Sequence, residues 1–150
     1  MAITEPVATK EGLRDFLKTY YTESVLVALL ISDINGDLTV NSSFSSVVGL
    51  ELNQIYGYNR KILSINEPTI LNENNTIYGF VESSIIRFTA TNGNIPLFTH
   101  IAIAKETSTT PKDTIGKVLR IEPVDNMGVS LRDGESYDYK FEVSLSVEYE

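Results

Sequence analysis

Apolar and polar residues alternate without a break over the end of the chain. Tyr137, Tyr139, Phe141, Val143, Leu145, Val147 and Tyr149 take every second position, and Asp138, Lys140, Glu142, Ser144, Ser146 and Glu148 fill the places between. Side chains point to opposite faces of a strand with period two, so the pattern predicts one long strand with an apolar and a polar face. At about 3.3 Å per residue it would run roughly 40 Å, well past the usual strand length. Burying its apolar face would contribute on the order of 10–20 kcal/mol as an upper bound, and that face needs a second sheet or a partner chain to cover it.

Upstream, Leu13, Phe16, Leu17 and Tyr20 recur at helical spacing, with Thr9 placed as an N-cap and Glu11 in the first turn. They predict a short helix over Lys10–Tyr21 whose stripe faces the core. Val25–Ile31 is continuously apolar, as strand or buried helix, and its shortness and the turn after it favour a central strand. Asp33-Ile34-Asn35-Gly36-Asp37 predicts a type I′ hairpin into a strand at Leu38-Thr39-Val40. The serine-rich stretch Asn41–Gln54 predicts a loop with one helical turn. Strands are predicted at Tyr56–Ile65, Ile77–Val81, Ser84–Ala90, Phe98–Ala104 and Lys117–Ile121, with a shorter segment at Thr69-Ile70-Leu71. Lys105–Gly116 is a polar excursion, and Asp133-Gly134-Glu135 turns the chain into its last strand. Residues 1–9 contain Pro6 and no periodicity, and read as an extended arm, either frayed or lying on a neighbouring subunit. Short strands divided by Gly, Asn, Asp and Pro turns predict an all-β fold. The expected form is an antiparallel, jelly-roll-like β-sandwich with one short N-terminal helix, as a single domain over residues 10–150.

Charge and composition narrow the partners. A net charge of −8 with scattered basic residues opposes binding to a phosphate backbone, so nucleic acid is not an expected partner. The longest apolar run falls far short of the roughly 20 residues a membrane helix needs, and the first ten residues lack the pattern of a cleaved signal. A soluble protein without a membrane partner is expected. The absence of cysteine excludes disulfides, thiolate metal sites and a cysteine nucleophile. His100, the only histidine, sits mid-strand with no signature of a triad around it, and reads as a hydrogen-bonded structural residue. The Asp/Asn spacing at Asp33–Asp37 lacks the downstream glutamate of a calcium loop, since position 44 is Phe44. Asp133/Glu135 and Asp138/Glu142 fall on a turn and on the polar face of a strand, where acids are solvated. No catalytic, cofactor or metal site is predicted. Among the eight tyrosines, Tyr137, Tyr139 and Tyr149 share the apolar face of the last strand, where an amphipathic ring suits a partner contact.

From Tyr56 onward the order of features resembles small virion structural proteins of tailed bacteriophages. The resemblance rests on Gly57-Tyr58 followed by Arg60, on Ile85-Ile86-Arg87-Phe88-Thr89-Ala90, on Phe98-Thr99-His100-Ile101-Ala102-Ile103, and on Gly134-Glu135 feeding an alternating strand. The helix and the Val-Leu-Val-Ala-Leu-Leu strand before it are also similar. The long Lys105–Gly116 segment departs from the tight glycine turn of that group. The resemblance implies a non-enzymatic virion protein, assembled in the host cytoplasm: a cement or decoration protein bridging major capsid subunits, as a homo-oligomer with a trimer favoured. A tail, neck or fibre position is the neighbouring alternative, and a carbohydrate- or ligand-binding β-sandwich module is the alternative from another class. The candidate interface residues are Ile3, Pro6 and Val7 of the arm, with Tyr137, Tyr139 and Tyr149.

Overall fold

The computed structural model describes residues 8–148. In chain order these form α1 (Lys10–Thr22), β1 (Leu26–Ile31), α2 (Phe44–Gly49), β2 (Lys61–Leu63), β3 (Thr69–Glu73), β4 (Thr76–Glu82) and β5 (Ile86–Thr89). There follow β6 (Ile95–Phe98), β7 (His100–Lys105), β8 (Lys117–Pro123), a single 3-10 turn at Asp125–Met127, β9 (Val129–Leu131), β10 (Ser136–Tyr139) and β11 (Glu142–Glu148). The fold is all-β with antiparallel ladders, and carries the expected short helix at its start. No helix among the described residues is long and apolar enough to cross a membrane.

The strands fall into two compact units. One unit takes Met1–Ser24, Ser64–Ser84 and Lys140–Glu150, and the other takes Val25–Leu63 and Ile85–Tyr139. In the first, a three-stranded sheet of order β11-β4-β3 carries α1 on one face. Thr9 caps the helix by accepting a hydrogen bond from the Gly12 amide at 3.0 Å. Leu13 and Leu17 of α1 are buried with Ile77 and Val81, and Ile65, Ile70, Val143 and Val147 close around them. Phe16 and Tyr20, expected on the same buried stripe, stay exposed at 53 % and 41 %. Their rings stack on each other at 5.9 Å on the outer side of the helix. The core stripe is therefore narrower than the sequence pattern, because the sheet beneath α1 receives only one row of side chains.

Gly79 sets how closely that helix approaches. A Cβ at this position would stand 2.4 Å from Leu17 Cδ1 and 3.2 Å from Leu13 Cδ2, so the helix rests directly on bare backbone. Gly79→Ala should cost about 1–3 kcal/mol through overpacking, measured by urea unfolding. Unchanged stability would mean that α1 can lift from the sheet without loss.

In the second unit the main sheet has order β2-β1-β7-β8. All six residues of β1 are buried, which explains the unbroken apolar run: a central strand covered on both faces has no polar side to alternate with. Val27, Leu29 and Ile31 share a core with Ala102, Ala104 and with Phe44, Val47 and Val48 of α2. Leu26, Ala28, Leu30, Ile101 and Ile103, on the other face by register, are equally buried. Two small ladders, β10-β5 and β6-β9, complete the unit.

Four sequence expectations need correction. The long terminal strand is interrupted at Lys140 and Phe141: Ser136–Tyr139 pairs with β5, and Glu142–Glu148 pairs with β4 in the other unit. Phe141 is the cause. It is 2 % exposed, its amide donates to Ser83 Oγ at 2.9 Å, and its carbonyl accepts from the Ser83 amide at 2.9 Å. Two successive strands preserve period two across a two-residue gap, so alternation alone cannot reveal the break. The expected strand at Leu38–Val40 is absent, because the Asp33 carboxylate takes the Asp37 and Leu38 amides at 2.8 and 3.0 Å. A side chain there does what a strand partner would have done. Of Tyr56–Ile65 only Lys61–Leu63 is strand, since Tyr56 and Gly57 turn the chain with φ of 52° and 87°. Phe98–Ala104 divides at Thr99, whose amide donates to Ile31 O at 2.8 Å, so β6 and β7 enter different sheets.

Candidate functional site

The densest polar constellation among the described residues lies in the second unit and is built from the segment between α2 and β2 and the excursion before β8. Glu51 and Arg60 form an ion pair at 2.8 Å, with both side chains fully inaccessible to solvent. Arg60 Nε donates to Glu51 Oε2 at 2.9 Å, and Nη2 donates to Oε1 at 2.8 Å. Its remaining donors reach Thr107 Oγ1 (2.9 Å), the Ser108 carbonyl (3.1 Å) and the Asp113 carbonyl (2.8 Å). Guanidinium has five N–H groups, and these five contacts use them all. Glu51 also accepts the Tyr58 hydroxyl at 2.5 Å and the Lys112 amide at 2.8 Å. Tyr58 in turn accepts the Leu30 amide at 3.1 Å, and burial next to the Glu51 carboxylate pushes its hydroxyl well above the usual tyrosine range. The guanidinium carbon lies 5.7 Å from the Phe44 ring centroid.

Such a cluster has the residue types of an acid–base site but none of the access. Its groups are spent on one another and on backbone carbonyls, and no buried side-chain polar atom among the described residues lacks a partner. Its effect is architectural: Lys105–Gly116 is wound around one buried cation. That winding puts Glu106 and Lys112 at φ of 57° and 72°, and seats Gly116 where a Cβ would meet Thr107 Cβ at 2.7 Å and Phe44 at 2.9 Å. Sequence reasoning singled out Gly57, Tyr58 and Arg60 but missed Glu51. The available signal was an acid standing alone between Leu50 and Leu52, with an arginine two residues after a tyrosine further on.

His100 lies at the start of β7, half-buried, with Nδ1 2.7 Å from Thr99 Oγ1. Thr99 Oγ1 also accepts the Asp33 amide at 2.8 Å. Burial pushes the Asp33 carboxyl up, but the amides of Leu38 and Asp37, with nearby His100, outweigh it and leave the group below its ordinary value of 3.8. A carboxyl with a lowered folded pKa stabilises above its unfolded value, and that contribution is lost as pH falls through the folded one. Asp33→Asn should therefore lower the melting temperature near neutral pH, and the gap to the unsubstituted protein should close as pH drops below about 3.8. A gap independent of pH would remove the carboxylate from this role. Beside His100 runs an open groove of about 480 Å³, lined among others by Leu38, Val40, Val118, Arg120 and Ile121. Arg120 there pairs with Glu122 at 3.4 Å.

Of the predicted interface residues, Ile3, Pro6, Val7 and Tyr149 lie outside the described residues. Tyr137 and Tyr139 are half-buried on β10 in the second unit. The Tyr137 ring stands edge-on to Phe98 at 5.5 Å, and the Tyr139 hydroxyl donates to Glu122 Oε2. Burial and then Glu122 push the Tyr139 hydroxyl far above the usual tyrosine range.

The first unit shows a different kind of surface, which the sequence reading did not single out. On the β11-β4-β3 face away from α1, register sets side chains in four rows: Glu142–Glu82, Ser144–Phe80–Thr69, Ser146–Tyr78–Leu71, and Glu148–Thr76–Glu73. Phe80 is 41 % and Leu71 50 % exposed, so an apolar and hydroxyl-bearing centre lies open between two acidic ends. Both outer strands of this sheet, β11 and β3, are its edges. No family model, no curated protein and no solved structure matches the chain.

Proposed function

We infer that the chain is a non-enzymatic structural protein of a tailed-phage virion, a cement or decoration protein that bridges major capsid subunits and acts as a homo-oligomer. The observation that carries this reading is the surface of the first unit. Leu71 and Phe80 stand exposed on neighbouring strands of the sheet face away from α1, and Phe16 and Tyr20 form a second exposed pair on the outer side of that helix. Partly apolar faces bearing aromatic residues suit contact between proteins. The order of motifs from Gly57-Tyr58 to Gly134-Glu135 supports a virion setting by resemblance.

Purified capsids from which the protein has been removed provide the test. The recombinant chain should co-sediment with them and raise their melting temperature. A chain that stays in the supernatant at every ratio tried would refute the reading.

A further inference from the structure

We propose that the open face of the β11-β4-β3 sheet docks a different protein, whose contact surface has an apolar centre flanked by lysine or arginine, and not a second copy of this chain. This rests on the virion reading, under which that partner is a capsid subunit.

Two rows with Phe80, Tyr78 and Leu71 at their middle are bracketed by Glu82 and Glu142 at one end and by Glu73 and Glu148 at the other. Lys140 offsets only the first end, lying 2.9 Å from Glu82 and 3.7 Å from Glu142. Two copies meeting face to face about a two-fold axis have two ways to align their strands. An axis along the strands sets Glu73 and Glu148 over the same pair of the other copy. An axis across the strands sets them over Glu82 and Glu142. The first gathers four carboxylates with no cation at the Glu73 and Glu148 end, the second gathers four with only Lys140 among them at each end, and an excess of like charge across an interface suppresses pairing. A surface with basic flanks meets the opposite condition at both ends.

Size supports a contact that is repeated. Three strands at about 4.8 Å spacing and seven residues at about 3.4 Å rise give a platform of roughly 10 by 20 Å. That is well below the roughly 800 Å² per partner of a standard stable interface. One such contact is weak, whereas many copies on a lattice, or several in one oligomer, bind by multivalency. Homo-oligomerisation then falls to other surfaces.

Capsid co-sedimentation over a range of salt concentrations tests this with single-site variants. Leu71→Glu and Phe80→Glu should each weaken binding roughly tenfold or more, on the scale of interface hot spots. Glu73→Lys, at an exposed position of β3, should weaken binding several-fold and flatten its salt dependence. Ile34→Glu, on an exposed turn of the second unit, should bind as the unsubstituted chain does. Equal melting temperatures across the set show that each variant is folded. Binding by the unsubstituted chain that no face variant changes would overturn the docking face and leave the virion reading standing. An unsubstituted chain that never binds would end both. Face variants that turn a dimer into monomers in analytical ultracentrifugation would make a second copy the occupant and overturn the proposal.

Discussion

Arg60→Met should destabilise the protein by about 3–5 kcal/mol, the cost of stranding one charge of a buried pair. Glu51 would keep the Tyr58 hydroxyl and the Lys112 amide, but its charge would face a methionine in a site with no solvent. Thr107, Ser108 and Asp113 would lose the donor that gathers their oxygens. The loss is read as the unfolding free energy in urea, and also locally, as faster hydrogen exchange at the Lys112 amide. Removing both charges in Glu51→Met/Arg60→Met should recover part of the loss, because paired apolar replacements avoid the stranded ion. A single variant within about 1 kcal/mol of the original would show the pair to be worth no more than a surface bridge.

Phe141→Ala is the second large effect, about 3–5 kcal/mol for emptying a buried aromatic site. The Phe141 ring packs against Tyr21 at a centroid distance of 5.8 Å, and its backbone is held on both sides by Ser83. Leu145→Ala offers the contrast, because Leu145 is 39 % exposed on an edge strand. It should cost well under half as much, in line with surface substitutions. An uninterrupted strand from Tyr137 would set both residues on one covered face with similar costs. Thermal melts of the two variants side by side distinguish the arrangements.

What the sequence makes legible is local and periodic. The apolar run at β1, the capped helix α1 and the turn at Asp133-Gly134 are set by nearest neighbours along the chain, and they fold as the pattern implies. The break at Phe141 is not legible, because a residue in transit between two ladders can be as apolar as one within a strand. Nor is the division at Thr99, where the deciding partner, Ile31, lies 68 positions away. The buried charge centre was half visible: Tyr58 and Arg60 stood out, but nothing local ties them to Glu51 or to the carbonyls of Ser108 and Asp113. The open face of the first unit was hidden for a further reason. Its rows come from three strands, and only their register shows that Phe80, Tyr78 and Leu71 adjoin between glutamates.

The partition of the chain also fixes an order in time. The second unit is complete once Tyr139 has been synthesised, whereas the first waits for residues from Lys140 onward. During translation, β4 leaves the ribosome with only β3 available as a hairpin partner, and β11 joins it last. The Ser144 and Ser146 ends of the two central rows do not exist until then. A chain that stops just after Tyr139 therefore holds every segment of the second unit but only two of the three strands of the β11-β4-β3 sheet.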